Sequence, residues 1–157
     1  MRRPLPASGP VLVSACLAGR ACAYDGSHRA NDVILKLVRE GRAVLVCPEE
    51  EGGLGTPRPA AEIERGSGAG VLKGSAHVMT NDGRDVTAEY LAGARIAVER
   101  AASEGCTAAI LKARSPACGC GAVYDGSFSR RLVDGDGVSA AALRRAGLEL
   151  WTEEDVV

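Results

Sequence analysis

Residues 107–121, TAAILKARSPACGCG, carry an apolar run from Ala108 to Leu111 that stops at Lys112 and passes into turn-forming residues holding Cys118 and Cys120. A buried strand that ends in such a loop sets its polar groups at the strand's carboxyl edge, where ligands bind in open α/β sheets. The same pattern occurs twice upstream. VLVSAC (11–16) runs into Cys16, and AVLVCPE (43–49) runs into Cys47 and Glu49. Three apolar runs therefore each deliver a cysteine to what should be one rim of one sheet.

Working outward, residues 11–15 read as a first strand, apolar without alternation and so buried on both faces. A polar loop with Gly19, Cys22 and the turn Asp25-Gly26 follows. Asn31 or Asp32 can cap a helix whose apolar positions Val33, Ile34, Leu37 and Val38 fall at helical spacing, and Gly41 stops it. Residues 43–46 are the second strand, closed by Cys47-Pro48 because proline cannot continue a central ladder. A βαβ unit of this kind implies a parallel pair with a right-handed crossover.

GGLGTPRPAA (52–61) is irregular, with free glycines followed by Pro57 and Pro59 stiffening the chain around Arg58. Two strand-like pieces follow, around Ile63 and from Ala76 to Met79, and then a turn at Asn81-Asp82-Gly83. Asp85 or Thr87 starts the longest helix, with Tyr90, Leu91, Ala94, Ile96, Ala97, Val98 and Ala101 on its apolar face and Gly105 at its end. Strand 107–111, a helix near 139–146 and a last strand LELW complete the alternation. It predicts an α/β fold: a three-layer α/β/α sandwich with a mostly parallel, Rossmann-like sheet, in one domain over 1–157 with residues 1–10 as a flexible leader.

A hydrophobic fraction of 46% over 157 residues suits one full-sized core, and net charge is −1. No basic block marks a nucleic-acid footprint, and an aromatic content of 3% leaves little for stacking bases. MRRPLPASGPVLVSAC resembles a signal peptide, but its apolar run is short and preceded by Pro and Gly. No stretch approaches the ~20 apolar residues of a membrane span. A cytoplasmic protein is expected. Six cysteines are many there, where disulfides are disfavoured, and this raises the prospect of metal ligation or thiol chemistry.

Position separates the cysteines. Cys16, Cys47 and Cys118 end strand–loop units on the functional edge. Cys106 precedes its strand and reads as structural, whereas the roles of Cys22 and Cys120 stay open. Cys118-x-Cys120 is too tight for the usual Cys-x-x-Cys knuckle, and no ferredoxin-like run exists. YDGS occurs at 24–27 and again at 124–127, which adds Tyr24, Asp25, Tyr124 and Asp125 as pocket candidates; shared turn chemistry also accounts for the repeat.

In order along the chain, VSACLAG, ACAYDGS, CPEEEGGLGTPRPAAEI, GRDVT, ILKARSPACG and YDGSFS resemble the motifs of the thiouracil desulfidase (TudS) family, from Val11 nearly to Trp151. The chain departs from them at Ala18, Ala117 and the Glu50-Glu51 pair, none of which removes an implied cluster ligand. The resemblance implies a 4Fe–4S cluster held by three cysteines, Cys16, Cys47 and Cys118, with one iron open. It implies C–S hydrolysis of a thiolated pyrimidine without net redox change, sulfur leaving as hydrogen sulfide.

In that mechanism Glu49 deprotonates the attacking water and Ser115 relays a proton; a partly desolvated carboxylate suits such a base. On residues alone, Glu49 is a loop acid, one of three in a row, and Ser115 a turn residue. Tyr24 and Asp25 join the substrate pocket. Arg58 either holds a pyrimidine oxygen or makes a surface salt bridge. The expected partner is a small thiolated nucleobase, with no nucleic acid or membrane, and the chain a monomer or weak homodimer. Two other readings use the same thiols: a zinc hydrolase with a metal-bound water, and a cysteine-rich sulfur carrier or ligand-binding module.

Overall fold

The computed structural model describes residues 2–156. Four short strands form its central sheet: β1 (Val11–Ser14), β2 (Ala43–Val46), β5 (Ala108–Leu111) and β8 (Glu149–Thr152), in the order β2-β1-β5-β8 and parallel throughout. Side chains alternate across each strand, so both faces need a cover. Val11, Val13, Ala108, Ile110 and Trp151 pack on Ile34 and Leu37 of α1 (Asp32–Arg39). Leu12, Val46, Ala109, Leu111 and Leu150 face the other way. They pack on α4 (Thr87–Glu104), through Tyr90, Ala94, Ala97 and Ala101, and on α5 (Val138–Arg145), through Ala140 and Leu143. The result is the expected three-layer sandwich. Among the described residues no helix is long and apolar enough to cross a membrane.

The capping alternatives resolve by geometry. Asn31 is extended and its side chain accepts a hydrogen bond from the Val33 N–H, so it caps α1. Thr87 opens α4, and Asp85 Oδ1 accepts from the Thr87 N–H at 2.9 Å. The two strand-like pieces are β3 (Ala61–Glu64) and β4 (His77–Thr80), an antiparallel pair.

Two helices and a hairpin lie outside the expected pattern. Pro48–Glu51 is a short helix, α2, in which proline occupies the first turn and three acidic residues suit the positive helix start. Gly68–Lys73 is helix α3, its glycines having masked it. Ala122–Tyr124 (β6) and Leu132–Asp134 (β7) form a small antiparallel hairpin whose second strand is exposed. At the other end of the sequence, the Arg42 side chain donates to the carbonyls of Gly9 and Pro6 at 2.8 Å each, and Leu5 packs against the α1-side core.

The glycines that matter most lie between α2 and α4. A Cβ on Gly93 would stand 2.1 Å from the Pro48 carbonyl oxygen, and one on Gly52 would stand 2.2 Å from that of Glu89. Glycine in the middle of α4 costs helix stability, roughly 1 kcal/mol against alanine. It lets the two helices meet backbone to backbone, which sets Glu49 against Tyr90.

Candidate active site

Between β1 and β5 the connections diverge, β1 toward β2 on one side and β5 toward β8 on the other. Such a switch point leaves a crevice at the carboxyl ends of the strands. Here it is a cavity of about 480 Å³.

Cys16, Cys47 and Cys118 all line it. Cys16 sits in the tight 3-10 turn Ala15–Ala18 directly after β1, and Cys47 is the extended residue that caps α2 after β2. Cys118 lies in the loop after β5, and that loop is pinned from two sides. The N–H groups of Val138, Ser139 and Ala140 at the start of α5, which have no partner inside a helix, donate to the carbonyls of Pro116 and Ala117. Within the loop, Ser115 Oγ accepts from the N–H of Ala117 (3.1 Å) and of Cys118 (2.8 Å).

Burial pushes the Cys118 thiol up to about 12, while hydroxyl contacts from Ser14 and Ser115 act in the opposite direction. The Cys47 thiol lies far above its ordinary value, first through its hydrogen bond with Cys22 and then through burial. Cys22 itself is pushed up to about 11, chiefly by the sulfur of Cys16. Uncomplexed, these groups are thiols; a bound metal exchanges their protons for itself. All six cysteines are free.

Glu49 is not a solvated loop acid. It lies on α2 with a side chain 15% exposed, and the Tyr90 hydroxyl donates to its Oε2 at 2.6 Å. Arg58 Nη2 pairs with its Oε1 at 3.3 Å. Burial and the neighbouring Glu49 charge hold the Tyr90 hydroxyl well above its usual value, so it stays a donor.

Arg58 lines the cavity, and its ion pair is not on the surface. Its side chain is only 6% exposed, and Nη2 also donates to the Cys22 carbonyl at 2.9 Å, while Nη1 donates to Thr56 Oγ1. The salt bridge exists, but it lies inside the wall and its partner is Glu49.

Tyr24 lines the mouth and is 50% exposed, and Ser115 and Tyr124 also reach the cavity. Asp25 and Asp125 are not among the lining residues. Each builds the same turn instead, its Oδ1 accepting from the N–H and Oγ of the serine two residues on. Asp25 also pairs with Arg29, which does line the cavity.

Sequence reading missed three contributors. Ser14, the last residue of β1, accepts from the Lys112 N–H at 3.0 Å and ties β1 to the cysteine loop. Tyr90 had been counted only as an apolar helix position. Glu62 on β3 is buried and accepts from the N–H of Gly126 (3.0 Å) and Phe128 (3.1 Å), which docks the second YDGS turn beside the cavity. β3 reads AEIE, with a second and exposed acid at Glu64, so the strand itself does not single out Glu62.

Comparison with known proteins agrees with this fold. The family model described as 2-thiouracil desulfurase matches residues 11–155. The uncharacterized protein YbbK of Bacillus subtilis (strain 168) is 46% identical over 146 residues, which span 93% of this chain and 97% of that protein. A solved structure described as the 4Fe-4S-dependent thiouracil desulfidase TudS is 40% identical, with a TM-score of 0.82, over 94% of this chain and 92% of that one. Matched in fold and over nearly its whole length, the chain belongs to the 2-thiouracil desulfurase family of enzymes.

Proposed function

We propose that the protein is an iron–sulfur-dependent desulfidase that hydrolyses the C–S bond of thiolated pyrimidines such as 2-thiouracil. One thiocarbonyl and one water give one carbonyl and one hydrogen sulfide, with no net redox change. The observation that carries this reading is the convergence of three thiols from three strand ends on a cavity that also holds Glu49 between Tyr90 and Arg58.

The donor set suits such a cluster: four cysteine sulfurs, those of Cys16, Cys22, Cys47 and Cys118, and no imidazole line that cavity. Cys16, Cys47 and Cys118, one from each strand end, would hold it, which would leave one iron free of protein thiolate. When bound, the cluster supplies a thiophilic Lewis acid that withdraws electron density from the thiocarbonyl sulfur.

Glu49, fixed by Tyr90 and Arg58, takes a proton from the water that attacks the substrate carbon. Ser115 Oγ already accepts two backbone N–H groups, so its own proton is the one it can give, and it relays that proton to the substrate ring. Tyr24 covers the ring at the mouth. Asp25 acts at one remove by holding Arg29, and Arg58 acts through Glu49. The substrate is a free small molecule, and the same reading puts a monomer or weak homodimer in the reducing cytoplasm.

Metal analysis and turnover test this reading together. Anaerobic reconstitution is expected to give about four irons per chain with matching acid-labile sulfide, and sulfide release from 2-thiouracil. Cys16→Ser, Cys47→Ser and Cys118→Ser should each lose cluster and turnover. Sulfide release by a zinc-loaded protein without labile sulfide, lost in Cys16→Ser and Cys118→Ser, would establish the hydrolase alternative. A loaded protein that frees no sulfide from thiopyrimidines would leave the carrier reading.

A further inference from the structure

Cys22 has no part in the function proposed above. It is buried in the loop after the 3-10 turn, and its sulfur is in hydrogen-bonding contact with those of Cys16 and Cys47. The sulfurs of Cys22 and Cys47 and a carboxylate oxygen of Glu50 all lie within 4.8 Å of one another. Two sulfurs each about 2.3 Å from one ion are at most about 4.6 Å apart, so only a small closure brings the group onto a single ion. A four-iron core is wider than one ion and spreads its thiolates further. Cys22 and Cys47 are thus spaced as two ligands of one centre.

We propose that Cys22, Cys47 and Glu50 form a mononuclear site for a thiophilic divalent cation of the zinc class, filled in protein that carries no cluster. Two thiolates and a carboxylate are a borderline-soft set that zinc accepts, and a fourth position remains for water or for Cys16. The surroundings already aim the ligands. Thr56 Oγ1 donates to Glu50 Oε2 at 2.5 Å and in turn accepts from Arg58 Nη1 at 2.9 Å. The Cys22 N–H donates to the Arg20 carbonyl, and its own carbonyl accepts from Arg58 Nη2. Partners of this kind fix ligand direction around a metal. On binding, the two thiol protons leave to solvent and the cation takes their place.

Cys47 belongs to both sites, so the cation and the cluster exclude one another; this second part rests on the proposed function, whereas zinc binding itself does not. Zinc then acts as a competitor for cluster loading.

The test titrates reduced, cluster-free protein with Zn2+ against a chromogenic chelator, and with Co2+ to read thiolate-to-metal charge transfer. One zinc per chain is expected. Cys22→Ser and Glu50→Gln should each weaken it at least about tenfold, and Cys118→Ser should change it by no more than about twofold. In a separate arm, Cys22→Ser reconstituted with iron and sulfide should reach wild-type iron and labile-sulfide content, which also shows that it folds. Zinc-loaded wild-type protein should take up the cluster only after chelation.

Wild-type zinc affinity in both Cys22→Ser and Glu50→Gln would overturn the proposal. So would loss of zinc in Cys118→Ser, which would put the ion on the cluster thiols. Zinc binding as expected in a chain that never takes up iron would remove the cluster reading and leave the zinc site standing.

Discussion

The Tyr90 hydroxyl donates a 2.6 Å hydrogen bond to Glu49 Oε2, joining the fourth helix of the sandwich to the short helix that follows the second cysteine strand. The bond gives the carboxylate a direction. Glu49→Gln removes the proposed base and should lower kcat by about two orders of magnitude or more, while iron and labile sulfide stay at wild-type levels. Tyr90→Phe keeps the charge and frees its orientation; a kcat loss of about tenfold with little change in KM is expected, measured by steady-state sulfide release.

That contact depends on the glycine pair. Gly93→Ala would gain helix propensity of roughly 1 kcal/mol, but its methyl would meet the Pro48 carbonyl at 2.1 Å and push α2 away. The clash should win. Thermal unfolding is expected to show a net loss of about 1–3 kcal/mol, with turnover falling toward that of Tyr90→Phe.

Glu62 is predicted to act on substrate affinity. Its buried carboxylate holds the Gly126 and Phe128 amides, and through them the turn that carries Tyr124 to the cavity wall. Glu62→Ala leaves those amides unpartnered, at about 1–3 kcal/mol. KM should rise severalfold with kcat nearly unchanged, a split that steady-state kinetics reads directly.

Acid stability should depend on Asp136. Burial alone would raise its carboxyl, but the Arg144 guanidinium and the Gly121 N–H outweigh burial and hold it below the usual value. A group depressed in the folded state contributes stability above its unfolded value and loses that contribution as pH falls through the folded one. Asp136→Asn should therefore cost about 1 kcal/mol near neutral pH and progressively less below pH 4, seen as melting curves that converge in acid.

The sheet was legible because parallel strands buried on both faces leave unbroken apolar runs: Val11 to Val13, Ala43 to Val46 and Ala108 to Leu111 needed no tertiary information. The three rim cysteines followed from those runs. What stayed hidden depends on partners distant in sequence. Glu49 reads as one of three loop acids until Gly93 lets α2 dock on Tyr90. Arg58 reads as exposed because nothing local announces that Glu49 and the Cys22 carbonyl will enclose it. The β6–β7 hairpin escaped because Leu132 and Val133 stay half exposed and leave no alternating pattern. Proline followed by three acids at 48–51 was a helix start in plain view, read only as the end of a strand.

The strand ends that bear Cys16, Cys47 and Cys118 are secured by the parallel ladder and the apolar layers on either side of it, a framework built from backbone bonds and hydrocarbon. Under the proposed function, maturation then takes an order: the polypeptide completes its architecture first and receives its inorganic component last. On that reading loss of the metal would leave the socket standing, and recovery would amount to refilling it.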